Sequence, residues 1–301
     1  MSIVEDIIRL KEEKNAVILA HYYVDEEVQD IADYIGDSFY LSKVATKTEA
    51  DRIIFCGVEF MGESAKILNP DKRVFMPDAT ADCPMAHMAT GEEIEKVKAQ
   101  YEDVAVVCYI NSTAELKTMA DVCVTSSNAV KIVRKLPNEN IFFIPDRNLG
   151  SYVAEQVPEK NIILNAGCCP RHVAITTDKV KEAKAAHPNA LFAAHPECTK
   201  DVLVQADYIG STSGIIDYVV NTNHDEFIIG TVDGVFAEIK KQAPGKKLYT
   251  VKDQQVCVNM KKVTLEKVLD VLAHDTNEVF VEKNLAEKSM KSLQKMLELG
   301  Q

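Results

Sequence analysis

A chain of 301 residues with 47% hydrophobic and 27% charged residues has the balance of an ordinary folded globular protein. Its formal net charge of −12 argues against a nucleic-acid or anionic-membrane surface, both of which need Lys/Arg patches, but leaves small anions open to backbone N–H groups at helix ends. The N-terminus lacks the basic and apolar stretches of a signal peptide, and no apolar run approaches the ~20 residues of a membrane span. The expected location is therefore the cytoplasm, with the eight cysteines present as thiols or metal ligands rather than disulfides.

In chain order, Ser2 and Glu5 open as a capping box, with Ile3, Ile7 and Leu10 at helical spacing behind them. Residues 15–20 form a short apolar run ending in His21, Tyr22 and Tyr23, which predicts a buried parallel strand with a polar C-terminal end. Helices are expected through about Ala32 and Asp33 and again through Lys43 and Ala45, then a strand over 52–56 and a helical segment around 62–66. An extended run over 74–78 leads to a loop at Cys83.

The same order recurs twice. A strand over 104–108 ends in Tyr109, Ile110 and Asn111, and a strand over 190–194 ends in His195, Pro196 and Glu197. Capping-type helix starts stand at Thr90, Thr177 and Thr264, with 177 − 90 = 264 − 177 = 87. Ala32-Asp33 returns as Ala120-Asp121 and Ala206-Asp207, and five residues beyond each Asp stands a hydroxyl: Ser38, Ser126 and Thr212. Gly62, Gly150 and Gly234 keep the same register.

These recurrences predict three homologous units, 1–88, 89–175 and 176–262, and an incomplete fourth, 263–301, that packs back on the assembly. Within the last, Leu265, Val268, Leu269 and Leu272 share a helix face, residues 279–281 read as a short strand, and Met290, Leu293 and Leu297 lie on a final helix. Alternating strands and helices predict an α/β fold of three αβα-layered domains with small parallel sheets. Because polar positions recur at strand ends, where parallel sheets bind ligands, the expected site is shared, central and on a pseudo-threefold axis.

Cys83, Cys169 and Cys257 occupy the same place in successive units, 86 and 88 residues apart. Cys168 fits almost as well, at 85 and 89, but Cys169-Pro170 parallels Cys83-Pro84. Cys56, Cys108 and Cys123 sit in or beside apolar stretches and read as small buried hydrophobes, whereas Cys198 has no counterpart. A structural zinc site wants four protein ligands, often paired as C-x2-C, and no such pair exists. An iron–sulfur cluster accepts thiolates far apart in sequence, and three of them on a four-iron cluster leave one iron open as a Lewis acid.

The strand-end pairs His21/Tyr23, Tyr109/Asn111 and His195/Glu197 are spaced i, i+2, which in extended chain places both side chains on one face. Together they form an acid–base set suited to imine, enol and dehydration chemistry. Ser38, Ser126 and Thr212 read as helix N-caps, and three converging helix starts would also make an anion pocket.

The motifs resemble those of the quinolinate synthase family over nearly the whole chain. They comprise Ala20–Tyr23 with Gly36–Ser38, Pro77-Asp78 with Ala81–Ala86, and Tyr109–Ser112 with Thr125–Asn128. Gly167–His172, His195–Cys198, Ser211–Gly214 and Cys257–Lys261 complete the set. One departure is Gly230-Thr231-Val232-Asp233, where the family usually has Gly-Thr-Glu.

The resemblance implies a [4Fe–4S] cluster on three cysteines and condensation of iminoaspartate with dihydroxyacetone phosphate to quinolinate, in de novo NAD synthesis. Cys83, Cys169 and Cys257 are then expected to hold the cluster. Glu197 is expected to move protons, with Tyr23, His21 and His195 as acid–base or orienting groups. Tyr109 and Asn111 would hold a substrate carboxylate, and Ser38, Ser126 and Thr212 the phosphate and carboxylates. Because the imine is labile in water, handover from an iminoaspartate-producing enzyme is expected. The rival readings are another cluster-dependent hydro-lyase acting on a small dicarboxylate and a non-catalytic cluster protein such as a redox sensor. An electron carrier would more naturally saturate its cluster with four ligands.

Overall fold

A computed structural model of the chain describes residues 2–301. It contains three four-stranded sheets in which every pairing between strands is parallel. The first is built from β1 (Ala16–His21), β2 (Tyr34–Gly36), β3 (Arg52–Cys56) and β4 (Arg73–Phe75). The second takes β5 (Val104–Tyr109), β6 (Val122–Val124), β7 (Asn140–Ile144) and β8 (Asn161–Leu164). The third takes β9 (Leu191–Ala194), β10 (Tyr208–Ile209), β11 (Glu226–Gly230) and β12 (Lys247–Thr250). All three share one spatial order, β2-β1-β3-β4 and its equivalents, with helices between the strands. The expected α/β class, with three layered units, is the fold observed.

In such an order the chain leaves the first strand in opposite directions, and the crevice beyond the carboxyl ends of the first and third strands is where ligands bind. His21, Tyr109 and His195 stand at or just beyond the end of the first strand of each sheet. The central strands are apolar and buried, as strands covered on both faces require.

The recurring Asp33, Asp121 and Asp207 have a structural explanation. Asp33 accepts the Ile18 N–H through Oδ2 at 2.8 Å and returns its own N–H to the Ile18 carbonyl at 2.9 Å. Asp121 makes the same pair of bonds with Val106, and Asp207 with Phe192. Each Asp thus locks its second strand, only two or three residues long, against the first.

The three units contact one another in a ring. From the helix Glu59–Leu68 of the first, Glu63 Oε2 accepts the Ala114 N–H at 3.2 Å, and Ser64 Oγ lies 3.1 Å from the buried Lys117 ammonium. From the helix Arg147–Gln156 of the second, Asn148 Nδ2 donates to the Glu197 carbonyl at 3.0 Å. From the third, Gly234 presses on the end of β1. A Cβ there would lie 2.3 Å from the Tyr22 carbonyl oxygen and 2.8 Å from Tyr23 Cα, so only glycine fits. Buried Gln29 ties that contact by donating to the Gly234, Tyr22 and Val24 carbonyls.

One continuous apolar core runs beneath the first two sheets and the tail helices Leu265–His274 and Lys283–Leu299, while the third sheet carries a separate apolar cluster on each face. The helix Lys283–Leu299 lies against the helix Ala114–Met119 and β6, where Ser292 Oγ donates to the Lys117 carbonyl at 2.8 Å. The strand expected over 279–281 is absent. Glu278 makes a single antiparallel bridge to Phe75, reinforced by Val279 N–H on the Val74 carbonyl. Asn277 takes a left-handed turn at φ 56° immediately before it, and Phe280 stands 81% exposed, so the segment touches the sheet edge only at one point.

A second correction concerns the third helix start. Thr176, not Thr177, caps the helix Thr177–Ala186, accepting the Lys179 N–H as Thr90 accepts that of Glu93 and Thr264 that of Lys267. An N-cap serves the amide three residues on, and in a Thr-Thr pair only the first is placed to do so.

Candidate active site

Each cysteine loop is clamped by the same backbone bond. Glu59 N–H donates to the Ala81 carbonyl at 2.8 Å, Arg147 N–H to Gly167 at 2.7 Å, and Asp233 N–H to Gln255 at 2.9 Å. The acceptors stand two residues before Cys83, Cys169 and Cys257, and the caps Thr90, Thr176 and Thr264 stand seven residues after them. Both registers run through Cys169 rather than Cys168. The Cys168 N–H turns instead towards Met88 Sδ at 3.4 Å.

All twelve residues singled out from the sequence line one cavity of about 830 Å³, counted to its mouth. His21, Tyr23, Ser38 and Cys83 come from the first unit, Tyr109, Asn111, Ser126 and Cys169 from the second, and His195, Glu197, Thr212 and Cys257 from the third. Cys168 is not among the lining residues.

The two strand-end histidines are built alike. His21 Nδ1 accepts the Tyr23 N–H at 3.1 Å, and His195 Nδ1 accepts the Glu197 N–H at 3.3 Å. That assigns the proton of each neutral ring to Nε2. Burial lowers His21 to about 4 and His195 to about 3, against the opposing pull of nearby carboxylates. At neutral pH both rings are therefore uncharged Nε2–H donors, and the donor of His195 meets Ser126 Oγ at 3.1 Å.

Glu197 is the buried charge of the cavity. Burial alone would raise its carboxyl, but the His172 ring and the Tyr109 hydroxyl that bond to it outweigh that and hold it below the ordinary carboxylate range. Its Oε2 lies 2.6 Å from His172 Nδ1 and 3.7 Å from His195 Nδ1. The phenols move the other way: burial and the Glu197 charge push Tyr23 and Tyr109 well above the ordinary phenol range, so both remain protonated donors. Tyr23 Oη lies 2.9 Å from Thr212 Oγ1 and 2.7 Å from Thr231 Oγ1. Asn111 Oδ1 is buried without a partner.

The three hydroxyls are not caps, contrary to the reading from spacing. Asp37, through its Oδ1, caps the helix Ser38–Lys47, and Ser211 caps the helix Thr212–Asn221. Ser38 and Thr212 are the first helical residues, and Ser126 lies in the turn before the helix Ala129–Lys135. The capping side chain is in each long helix the residue before, which leaves the hydroxyls themselves free to face the cavity. Ser213 Oγ donates to Asp37 Oδ2 at 2.6 Å and joins the third and first units there.

Three further groups belong to the site. His172 stacks on His195 with ring centres 4.7 Å apart, and its Nε2 lies 2.9 Å from Thr231 Oγ1. A continuous path thus runs from Tyr23 through Thr231 and His172 to Glu197. Asp146, fully buried, accepts the Leu149 N–H through Oδ1 at 2.8 Å and the Cys169 N–H through Oδ2 at 3.1 Å. His172 stood within the Cys169–His172 motif, yet its counterparts three residues after Cys83 and Cys257 are Ala86 and Met260, so repetition could not mark it.

Three sulfurs from three units on one cavity wall suit a metal centre that gathers ligands distant in sequence. Burial pushes the Cys83 thiol up to about 12 and that of Cys169 well above the ordinary thiol range, and the neighbouring Glu197 and cysteine charges add to it. Such thiols ionise only against a bound cation, which is how a metal centre takes its ligands. Cys169 Sγ, a His172 nitrogen and a Glu197 oxygen also lie within 4.8 Å of one another, but His172 and Glu197 are already committed to each other.

The model of the quinolinate synthetase A protein family matches residues 5–298. The chain belongs to that family. A protein of Caldicellulosiruptor bescii named quinolinate synthase is 52% identical over 295 residues, 98% of this chain and 97% of its own. One of the same name from Fusobacterium nucleatum is 55% identical over 292 residues, 97% of each chain. A third, from Clostridioides difficile, is 48% identical over 292 residues, 97% of this chain and 96% of its own. Membership makes the chain an enzyme of the quinolinate synthase kind. Of the stretch Gly230–Asp233, Val232 stands on the cavity wall and Asp233 beside it does not. Among the described residues no helix is long and apolar enough to cross a membrane.

Proposed function

We propose that the enzyme condenses iminoaspartate with dihydroxyacetone phosphate to give quinolinate, phosphate and two waters, at a [4Fe–4S] cluster held by Cys83, Cys169 and Cys257. The observation that carries this reading is one cavity shared by three equivalent cysteines, a buried ionised carboxylate and neutral donors, in a chain of this family. When bound, a cluster with three protein ligands supplies an open iron as a Lewis acid for a carboxylate or hydroxyl oxygen.

The side chains divide the remaining work. Glu197, ionised and backed by His172, is the base that takes a carbon-bound proton during enolisation and delivers protons as the waters leave. His21 and His195 donate from Nε2 to developing oxyanions without carrying charge. Tyr23 donates its phenolic proton, and the path through Thr231 and His172 replenishes it. Tyr109 and Asn111 hold a carboxylate, and the unpaired Asn111 Oδ1 accepts from the imine N–H. Ser38, Ser126 and Thr212 bind the phosphate, with the first turns of the helices Ser38–Lys47 and Thr212–Asn221 supplying N–H groups. The imine's lability in water favours direct handover from the enzyme that makes it. The unit limits 1–88, 89–175 and 176–262, with 263–301 as a closing segment, belong to the same proposal.

Anaerobically prepared protein, incubated with iminoaspartate and dihydroxyacetone phosphate, tests it by chromatography with ultraviolet detection. Quinolinate should form only when both substrates are present. Dehydration of a dicarboxylate without condensation, or no turnover by protein with a full cluster, would contradict the proposal.

A further inference from the structure

The position just before the clamping N–H is apolar in two units, Val58 and Val232, and an acidic side chain in the third, Asp146. Asp146 is fully buried and makes no ion pair with Lys or Arg among the described residues; burial and the nearby Glu197 charge push its carboxyl up to about 8 against the backbone N–H groups that surround it. One oxygen caps the helix Arg147–Gln156 at Leu149, and the other takes the Cys169 N–H. Two residues on, half a helical turn away, Asn148 donates to the Glu197 carbonyl. In the first unit, by contrast, the Cys83 N–H is held by its own neighbour Asp82 at 2.6 Å.

We infer that Asp146 and Asn148 form a bracket that fixes the Cys169 loop against the Glu197 segment, and so sets the 2.6 Å contact of His172 with Glu197. Both are positioning residues: neither lines the cavity. The inference rests on the proposed role of Cys169 as a cluster ligand. Groups that orient metal ligands from behind commonly change metal affinity by about 10–100-fold when removed.

Serine separates the two duties of Asp146, because its single hydroxyl keeps the helix cap and abandons the Cys169 N–H. Asp146→Ser should keep the melting temperature of the cluster-free protein within a few degrees, and should release iron to a ferrous chelator about tenfold faster than the natural protein. Asp146→Asn, which turns an amide donor towards the Cys169 N–H, should behave likewise. Asn148→Ala should retain its iron, lower kcat about tenfold and leave KM nearly unchanged, since it loosens Glu197 alone. Iron release at the natural rate in both Asp146 variants, or an unchanged kcat in Asn148→Ala, would overturn the bracket. A natural protein that takes up no iron and sulfide would instead overturn the cluster reading beneath it.

Discussion

Glu197 concentrates the chemistry in one side chain: a carboxylate kept ionised inside a wall of donors. Glu197→Gln should lower kcat by about 10²–10⁴-fold while iron and sulfide content stay unchanged. An active variant would return the base role to another group. His21 and His195 yield a prediction of opposite kind. Their folded values, about 4 and about 3, lie below the ordinary 6.5, so between those limits the unfolded chain binds more protons. Their stabilising contribution is complete above about pH 6.5 and is lost as the pH falls towards 4. For His21 alone the loss by about pH 5 is roughly 2 kcal/mol. Urea midpoints measured at pH 7.5 and 5 should show it, and His21→Asn should flatten the slope. Recurrence made these residues legible in the sequence. It also made Asp33, Asp121 and Asp207 conspicuous, and there the reason is strand locking. Asp121→Ala should cost about 1 kcal/mol of stability and leave kcat unchanged. His172, Thr231 and Asp146 escaped notice because each occurs in one unit only, where the fold's symmetry gives way to chemistry.

Three strands of each unit and most helices could be read from the apolar runs, but the short second strand of each sheet (β2, β6 and β10) could not, and neither could the element edges. Thr176 and Thr177 are interchangeable to a spacing argument, and only the hydrogen bond to Lys179 chooses between them. Residues 279–281 have strand composition, yet the one bridge to the sheet edge falls before them at Glu278, next to the left-handed Asn277, and no ladder follows. That the hydroxyls of Ser38 and Thr212 are not spent as caps depends on the cap falling one residue earlier, a shift of register that no pattern of polarity reveals. Gly234 is where an element's geometry reaches the site. Gly234→Ala would drive a Cβ into the backbone of Tyr22 and Tyr23, with no flexible side chain to give way. It should destabilise by about 1–3 kcal/mol and lower kcat by displacing the Tyr23 hydroxyl from Thr212 and Thr231. A thermal melt and a steady-state assay would show both effects.

The molecule is a ring of three similar sheets whose contacts pass from the first to the second, to the third and back to the first. The first interface sets two helices together, the other two set a strand end of one unit against a helix start of another, and the cavity takes its lining from all three units. The acidic surface and the anion-binding interior are compatible because the cavity lining offers hydroxyls, amides, imidazoles and phenols as donors, with Arg171 beside them. Three-unit architecture was legible because the repeat spans whole units. Which cysteine of the pair 168–169 faces the centre was not, since neighbours in a loop differ by orientation alone. That choice, and the cluster with it, is open to direct measurement: iron and sulfide content of anaerobically prepared natural protein and single Cys→Ser variants. About four iron and four sulfide per chain are expected in the natural protein and in Cys168→Ser, with loss in Cys83→Ser, Cys169→Ser and Cys257→Ser. Zinc without sulfide, or a cluster that survives Cys169→Ser and is lost in Cys168→Ser, would contradict it.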